Sequence, residues 1–395
     1  MKILFLNTFY SPYYGGGAEV ILKTLAEGTK KAGHEVVVLT LSPEGGLHGD
    51  IVDNVKVLRA KLANIYWPLS TFERPFWQRF LWHAKDIYNT AMGNVVRQVI
   101  NREKPDIINC HNIAGWSASA WNAINQAGIP IVQVLHDLYT ICPNSNMFRN
   151  GKACARQCFR CKLFRLKHKT LSKKIPAVVG VSKFILDYHI AFNYFSMSKV
   201  KTFIHNPRYL QLRPLNELNT SISKIRFGFI GTLNSAKGIE ILIKAFSEIL
   251  HSNSLLLIAG KGKKTFEEKL KSKNPKNIYF LDYMRPSDFF PLIDVLIVPS
   301  IWNDTFPTVI IESFAHGIPV IGSRRGGIPE MINVGENGFL FEPNNPHELH
   351  ALLTKFIENP TLIRDMRCNA IKSAASFSDI DEWVNQYLSL FMKLM

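Results

Sequence analysis

VLIVPSIWNDTFPTVIIESFAHGIPVIGSRRGGIPEMI, running from Val295 to Ile332, is the stretch on which the fold turns. The all-apolar burst Val295 to Val298 reads as a strand buried on both faces, and Pro299-Ser300 ends it. A polar loop follows; Pro307 opens a helical run, Gly317 closes it, and Ile318 to Ile321 is a second buried strand. This β-loop-α-turn-β unit carries Asp304 in its loop and Glu312 on its helix, with a Gly326-Gly327 turn and Glu330 beyond the second strand. Carboxylates and backbone amides are thereby gathered at strand C-terminal ends, where open α/β sheets bind ligands. A solvated helix carboxylate is the plainer reading of Glu312 alone. The pair inside WxDxFPxxxxE, with GIPVI and GGIPE behind it, is far more specific.

With 395 residues and 47% hydrophobic content, the chain supplies two domains of ordinary size with their cores. MKILFLNTFY is too short in its apolar part for an export signal and reads as a first strand; no stretch is long enough for a membrane span. A cytoplasmic protein is expected. The net charge of +16 is uneven: residues 1–205 hold 26 Lys/Arg against 12 Asp/Glu, and the remainder 21 against 19. A surplus of +14 in the first half points to a polyanionic partner, whether an anionic membrane surface, an acidic acceptor or nucleic acid; solvated charge without a partner is the bland reading.

Ile3 to Leu6 is a short buried strand, and Gly15-Gly16-Gly17-Ala18-Glu19 then opens a helix with Val20, Leu22, Leu25 and Ala26 on its apolar face. Glycines at a strand-to-helix turn let amides approach a phosphate, although a tight turn needs glycine as much. Glu35 to Leu41 is the second strand. Residues 42–75 read as irregular loops with a short strand near Val55 to Leu58, and Phe76 to Arg102 as one long helix. Phe76, Phe80, Ala84, Ile87, Ala91, Val95 and Val99 form its core-packing face, while Trp77, Leu81 and Trp82 widen the stripe toward an acceptor groove or a membrane contact. Strands at Ile107 to Cys110 and Ile129 to Leu135 each end in a histidine, His111 and His136, and a histidine suits a hydrogen bond to a hydroxyl or a developing charge near neutral pH.

Cys142, Cys154, Cys158 and Cys161 are spaced C-x11-C-x3-C-x2-C. In a reducing compartment disulfides are disfavoured, so a four-thiolate structural zinc is the sharp reading; free thiols and an iron–sulfur centre are the others. Basic residues crowd the same region (Arg149, Lys152, Arg156, Arg160, Lys162, Arg165, Lys167, Lys169, Lys173, Lys174) among Phe159, Leu163, Phe164 and Leu166, which makes it the expected membrane-facing patch. After His205-Asn206-Pro207 the pattern restarts with Ile225 to Ile230 and the loop Gly231-Thr232-Leu233-Asn234-Ser235-Ala236-Lys237-Gly238, so two doubly wound domains are expected. Ile380 to Leu394 carries Trp383, Tyr387, Phe391 and Leu394 at helical spacing.

The opening stretch resembles the family-four glycosyltransferases of the GT-B fold, whose pattern is an acidic residue, Phe-Pro or Phe-Gly, and a Glu eight residues on. The resemblance spans nearly the whole chain and is strongest from Arg226 to Pro343. It implies an α/β architecture of two Rossmann-like domains facing a central cleft: residues 1–206 on the acceptor side, with a Cys-rich insertion at 140–162; residues 207–378 binding a nucleotide-sugar; and residues 379–395 as a helix packing back on the first domain. By resemblance Asp304 contacts the donor sugar, Glu312 holds the ribose hydroxyls, and Phe306, Pro307 and Thr308 complete that donor site. Lys237 would bind the diphosphate, Gly16 and Gly17 correspond to a GG-x-E loop beside it, and His136 lies near the reacting sugar. Asp304 stands where the family usually has Glu, a reach shorter by roughly 1.5 Å. Thr232 stands where it has Arg, which removes a bidentate phosphate clamp.

The family retains anomeric configuration, so no nucleophilic carboxylate is expected; His136, Lys237 and Asp304 are the candidate catalytic residues, and stabilisation of the departing diphosphate is the main term. No catalytic cofactor is expected. The implied activity is transfer of a hexosyl unit from a nucleotide-diphosphate donor to a lipid-linked or polysaccharide acceptor in cell-surface glycan assembly, by an enzyme peripheral at the inner face of the membrane. The rivals are another GT-B sugar-nucleotide enzyme, such as an epimerase, and a zinc-clipped nucleic-acid-binding protein. Nucleic acid is not expected, because recognised RNA-binding modules are absent and the second half is nearly neutral.

Overall fold

A computed structural model describes residues 1–70, 74–213, 224–249, 253–272 and 277–395. The chain divides into two compact units: Met1–Met147, Ala155–His205 and Ile380–Met395 form the first, and Phe148–Cys154 with Asn206–Asp379 the second. Both are α/β, each built on a sheet whose strands are joined through helices.

The first unit contains β1 (Lys2–Leu6), α1 (Gly17–Lys31), β2 (Glu35–Ser42), β3 (Leu47–Val52), β4 (Val55–Lys61), α2 (Phe76–Lys85), α3 (Thr90–Glu103), β5 (Ile107–Cys110), α4 (Ser117–Gln126) and β6 (Ile131–Leu135). A small hairpin, β7 (Phe148–Arg149) with β8 (Lys152–Ala153), is grouped with the second unit. Then come α5 (Phe159–Phe164), α6 (Leu166–Ser172), β9 (Ala177–Gly180), α7 (Lys183–Ala191) and β10 (Val200–Phe203). The sheet runs β10-β9-β6-β5-β1-β2-β4-β3, parallel except for the last pair. Strands β1, β2, β5, β6 and β9 are buried nearly end to end, as a sheet covered by helices on both faces requires, whereas the outermost β3 and β10 are partly exposed.

The second unit contains β11 (Ile225–Ile230), α8 (Ile239–Ser247), β12 (Ser254–Ala259), α9 (Lys264–Lys271), β13 (Ile278–Leu281), α10 (Pro286–Phe289), β14 (Val295–Val298), α11 (Val309–Ala315), β15 (Val320–Ser323), β16 (Gly338–Phe341), α12 (Pro346–Glu358) and α13 (Thr361–Ala375). Its six parallel strands lie in the order β13-β12-β11-β14-β15-β16, the doubly wound nucleotide-binding order with its reversal between β11 and β14. Phe227, Phe246, Leu256, Ile297, Ile321, Leu349 and Phe356 fill the core between sheet and helices. The last helix, α14 (Ile380–Met392), belongs to the first unit, where it packs on α1; Lys31 Nζ meets Asp381 Oδ1 at 3.2 Å.

Four local expectations are corrected. Residues 42–61 hold a β-hairpin, not irregular loop: Asp53 and Asn54, both at positive φ, turn β3 back onto β4; of the remaining loop, residues 71–73 lie outside the described residues. The long helix is two, because Asp86 is buried as an acceptor for Gly115 N and Tyr139 Oη, and Asn89 caps α3 by accepting from Met92 N. Its core face is Met92, Gly93, Val96, Val99 and Ile100, while Phe76 and Phe80 are exposed. On α1 it is Ile21 that is buried and Val20 that faces out. Arg165, counted with the membrane-facing charges, is fully buried, its guanidinium 4.0 Å over the Tyr139 ring and 3.9 Å from Asp86.

Candidate functional site

In the second unit the candidate residues converge on the β11/β14 switch point. The loop after β11 ends in a single helical turn, Ser235–Lys237, capped by Asn234 Oδ1 accepting from Lys237 N at 3.0 Å. Gly238 closes it at φ +73°, and a Cβ there would fall 1.8 Å from the Pro299 carbonyl oxygen. Only glycine allows this loop to press against the loop after β14, where Ile301 N and Trp302 N donate to Ala236 O. The same device recurs at Gly326, φ +59°, whose Cβ would lie 1.9 Å from the Asp304 carbonyl; Gly327 N donates to that carbonyl at 2.8 Å. Three strand ends thus fix the Asp304 backbone.

Lys237 Nζ reaches Asp304 Oδ2 at 2.5 Å and lies 5.2 Å from the Trp302 ring centroid. Phe306 is buried against Phe377, Pro307 is buried, and Thr308 stands at the N-cap of α11. Thr232 is exposed. Glu312, on the first turn of α11, takes Arg208 Nε at 2.8 Å and Nη2 at 2.7 Å, both on Oε1. Among the described residues this leaves Oε2 for another donor. Burial pushes the Glu312 carboxyl up from its ordinary value, and Arg208 opposes that rise. Ser300 Oγ and Trp302 Nε1 are buried without a hydrogen-bond partner among the described residues. Arg208 was missed in the sequence because its partner is 104 residues away; Trp302 was legible as part of the motif but had no role assigned.

In the first unit, Gly16 is the N-cap of α1 and Gly17 its first residue. Gly16 N donates to Glu19 Oε2 at 2.9 Å, and a Cβ on either glycine would meet nothing within 4 Å, so the helix end is open. Burial pushes the Glu19 carboxyl up. His111 and His136, at the ends of β5 and β6, face one another with Nδ1 and Nε2 2.7 Å apart, and a small cavity is lined by both together with Asn112, Gln133 and Asp137. Burial lowers both imidazoles, His136 to about 4, and pushes Asp137 up to about 6.

Cys142, Cys158 and Cys161 come together. Cys158 Sγ is 3.5 Å from Cys161 Sγ, which donates to Cys142 Sγ at 3.7 Å. The thiol of Cys161, and behind it the amides of Asn144 and Met147, hold Cys142 below the usual thiol range. Against burial, the amides of Cys161 and Arg160 lower Cys158. Cys154 follows β8, in the segment grouped with the second unit. Among the described residues no group of three or more His, Cys, Asp or Glu is arranged as a metal site.

Comparison with known proteins agrees with this geometry. Residues 15–206 match the family model described as Glycosyltransferase Family 4, and residues 216–373 the one described as Glycosyl transferases group 1. A 42.6 kDa protein from the cps region of Klebsiella pneumoniae, itself uncharacterised, is 29% identical over 342 residues, 87% of this chain and 90% of the relative. Among solved structures, sucrose-phosphate synthase from Thermosynechococcus elongatus superposes with a TM-score of 0.75 at 18% identity, covering 100% of this chain and 99% of its own. HepE from Anabaena, in complex with UDP-glucose, gives 0.68 at 21% identity with 100% of both chains covered. Two family models that between them span nearly the whole chain, on two Rossmann-like units with this strand order, identify the chain as a member of the family-four glycosyltransferases of the GT-B fold.

Proposed function

We propose that this glycosyltransferase moves a sugar, with retention of configuration, from a nucleotide-diphosphate donor to a lipid-linked or polysaccharide acceptor in cell-surface glycan assembly. The observation that carries the reading is the pairing at the β11/β14 switch point: Lys237 with Asp304, and Arg208 with Glu312 through one carboxylate oxygen only. Ribose hydroxyls donate to Glu312 Oε2, the diphosphate competes with Asp304 for Lys237, and Asp304 takes a hydroxyl of the donor sugar. The anomeric carbon–oxygen bond to the β-phosphate breaks as the acceptor oxygen bonds to that carbon on the same face. The acceptor's hydroxyl proton passes to the departing phosphate oxygen, and Lys237 stabilises its charge. Anabaena HepE was solved with UDP-glucose, and the Klebsiella relative lies in a cps region, which supports a sugar nucleotide and a surface glycan respectively. Calorimetry with UDP-, GDP-, ADP- and dTDP-sugars tests this: one nucleotide series should bind and be hydrolysed slowly. Binding of none, or equal binding by Lys237→Ala, would overturn it.

The membrane surface belongs to the same proposal. In the first unit, α2 exposes Phe76, Trp77, Phe80 and Leu81, and Phe80 packs on Phe164 of α5 while Arg160 lies over Phe76. Phe159, 82% exposed, Leu163 and Leu166 add exposed apolar side chains in the same stretch of chain as the exposed Lys162 and Lys167. No described helix is long and apolar enough to cross a membrane. An anionic bilayer fits apolar side chains ringed by cations, each basic residue contributing on the order of 1 kcal/mol. Co-sedimentation should favour anionic over neutral vesicles and fall with salt and in Lys162→Glu/Lys167→Glu. Equal partition onto both vesicle types would sink the idea. For the cysteines the proposal is a structural zinc: separations of 3.5 and 3.7 Å among Cys158, Cys161 and Cys142 approach the edge of roughly 3.8 Å set by tetrahedral Zn–S bonds. Metal analysis of protein purified without added metal decides it, since a zinc-free and iron-free chain removes the site.

A further inference from the structure

We infer that Asn109 and His111 act as positioning residues that hold His136 in one neutral tautomer, protonated on Nε2 with Nδ1 as the acceptor nitrogen. Asn109 and His111 sit two residues apart at the end of β5, so their side chains share one face of the strand. Asn109 Nδ2 donates to the Val132 carbonyl at 3.2 Å. Turning that amide over would set its oxygen against the carbonyl, two acceptors with no proton between them. Oδ1 is therefore the atom facing His111, 2.7 Å from its Nε2.

Oδ1 has no proton to give, so His111 Nε2 carries the hydrogen. A neutral imidazole has one N–H, which leaves His111 Nδ1 as a lone pair. His136 Nε2, 2.7 Å from it, must then supply the proton of that bond. Having committed its single N–H to His111, His136 retains Nδ1 as a lone pair. Burial keeps both rings neutral at pH 7: His111 is 1% exposed, with Phe5 6.2 Å away on one side and the His136 ring 5.0 Å away, nearly parallel at 21°, on another.

The backbone fixes the first ring in place. His111 N donates to Leu6 O at 2.8 Å, and its carbonyl accepts from Gln133 Nε2 at 2.6 Å. Gln133 is itself oriented, because the indole N–H of Trp121, a donor only, points at its Oε1 at 2.8 Å. The network therefore runs from the interior of the unit outward to His136, the more exposed of the two rings at 9%. This inference rests on reading His136 as the residue beside the reacting sugar. In that role it offers the sugar no ring N–H beyond the one already committed to His111.

Two-bond proton–nitrogen correlation spectra of the full chain labelled with 15N-histidine test the relay without any assay of turnover, and His136→Ala identifies the relevant signals. His136 should show a protonated Nε2 and an unprotonated Nδ1, unchanged from pH 5.5 to 8. Asn109→Leu removes the acceptor, frees His111 to carry its proton on either nitrogen, and should shift the His136 signals toward a mixture. An Nδ1–H tautomer or an imidazolium at pH 7 in the wild type would overturn the relay by itself, so the test stands even where Asn109→Leu does not fold. No response to Asn109→Leu in a folded protein would overturn it too. If the tautomer holds while His136→Ala hydrolyses the donor at the wild-type rate, the relay stands and the sugar-contacting role of His136 fails.

Discussion

The two units place polar groups at the same point of the same architecture and treat charge in opposite ways. At the β11/β14 switch point of the second unit, each acid is paired with a base, Asp304 with Lys237 and Glu312 with Arg208. At the strand ends of the first unit, His111 and His136 face each other as neutral rings, and Glu19 and Asp137 have their carboxyl pKa values raised by burial. Burying a charge is costly unless an opposite charge meets it, and where burial outweighs the partners present the pKa moves toward the neutral form, as it also does for Glu312 against the opposing pull of Arg208. For the proposed nucleotide-diphosphate donor, the paired charges of the second unit would meet the diphosphate and the strand ends of the first would meet hydroxyl groups. The +14 surplus of residues 1–205 lies elsewhere, on residues such as the exposed Lys162 and Lys167.

The sharpest way to break this contrast is Lys237→Ala. It removes the cation proposed to meet the leaving diphosphate and leaves Asp304, 7% exposed, without its partner. Loss of one such electrostatic stabiliser costs roughly 10²- to 10³-fold in kcat. Single-turnover donor hydrolysis is the measurement. A loss below about tenfold would mean that the diphosphate is stabilised by other groups.

Glu312→Gln comes next, because it keeps the shape and removes the charge from the oxygen proposed to hold ribose. Removing a charge-assisted bond of about 1.5 to 3 kcal/mol weakens donor binding roughly 10- to 150-fold. The pH dependence separates the units further. Glu312 binds hydroxyls best as the carboxylate, and burial raises its pKa, so affinity should decline on acidification at a higher pH than an ordinary glutamate would give. His136, lowered to about 4, stays neutral over that range and contributes no step near the usual histidine value. Calorimetric titrations from pH 5 to 8 should show a decline toward acid in the wild type that Glu312→Gln lacks. A step near 6.5 that survives in Glu312→Gln and vanishes in His136→Ala would reverse the assignment of charge between the two units.

What the sequence made legible is what depends on neighbours in the chain. The β14-loop-α11-β15 unit is read from two apolar runs, Pro299, Pro307 and Gly317, and those cues act locally. The hairpin of β3 and β4 had a local cue as well, Asp53-Asn54, but β3 exposes most of its residues and so lacks the apolar run that marks a strand. The break between α2 and α3 was hidden for another reason: the apolar spacing continues across it, and what stops the helix is the burial of Asp86 against Gly115 and Tyr139, residues far along the chain. Arg208 opposite Glu312, Asn109 against the Val132 carbonyl, and Arg165 over the Tyr139 ring share that property. Each is an ordinary residue in one dimension and acquires its role only from a partner that the fold supplies.

The smallest effect expected is a gain. Thr232 is exposed in the loop after β11, at the position where the family's motif carries arginine, five residues ahead of the lysine present here as Lys237. Thr232→Arg adds a guanidinium to the unit that already handles charge through pairs, and its planar fork suits two phosphate oxygens at once. A charge-assisted bond of about 1.5 to 3 kcal/mol, less about 0.5 to 1.5 for ordering a long exposed side chain, leaves on the order of 1 kcal/mol, or roughly fivefold tighter donor binding. Because the gain is electrostatic and solvent-facing, it should shrink as salt rises, and it should be absent for the nucleoside without its phosphates. The same substitution therefore reads the contrast between the units in a direction that loss of fold cannot imitate. Tighter binding of the diphosphate but not of the nucleoside would locate the phosphates beside the loop of Gly231 to Gly238; unchanged or weaker diphosphate binding would move them away from it and leave Lys237 as a partner of Asp304 alone.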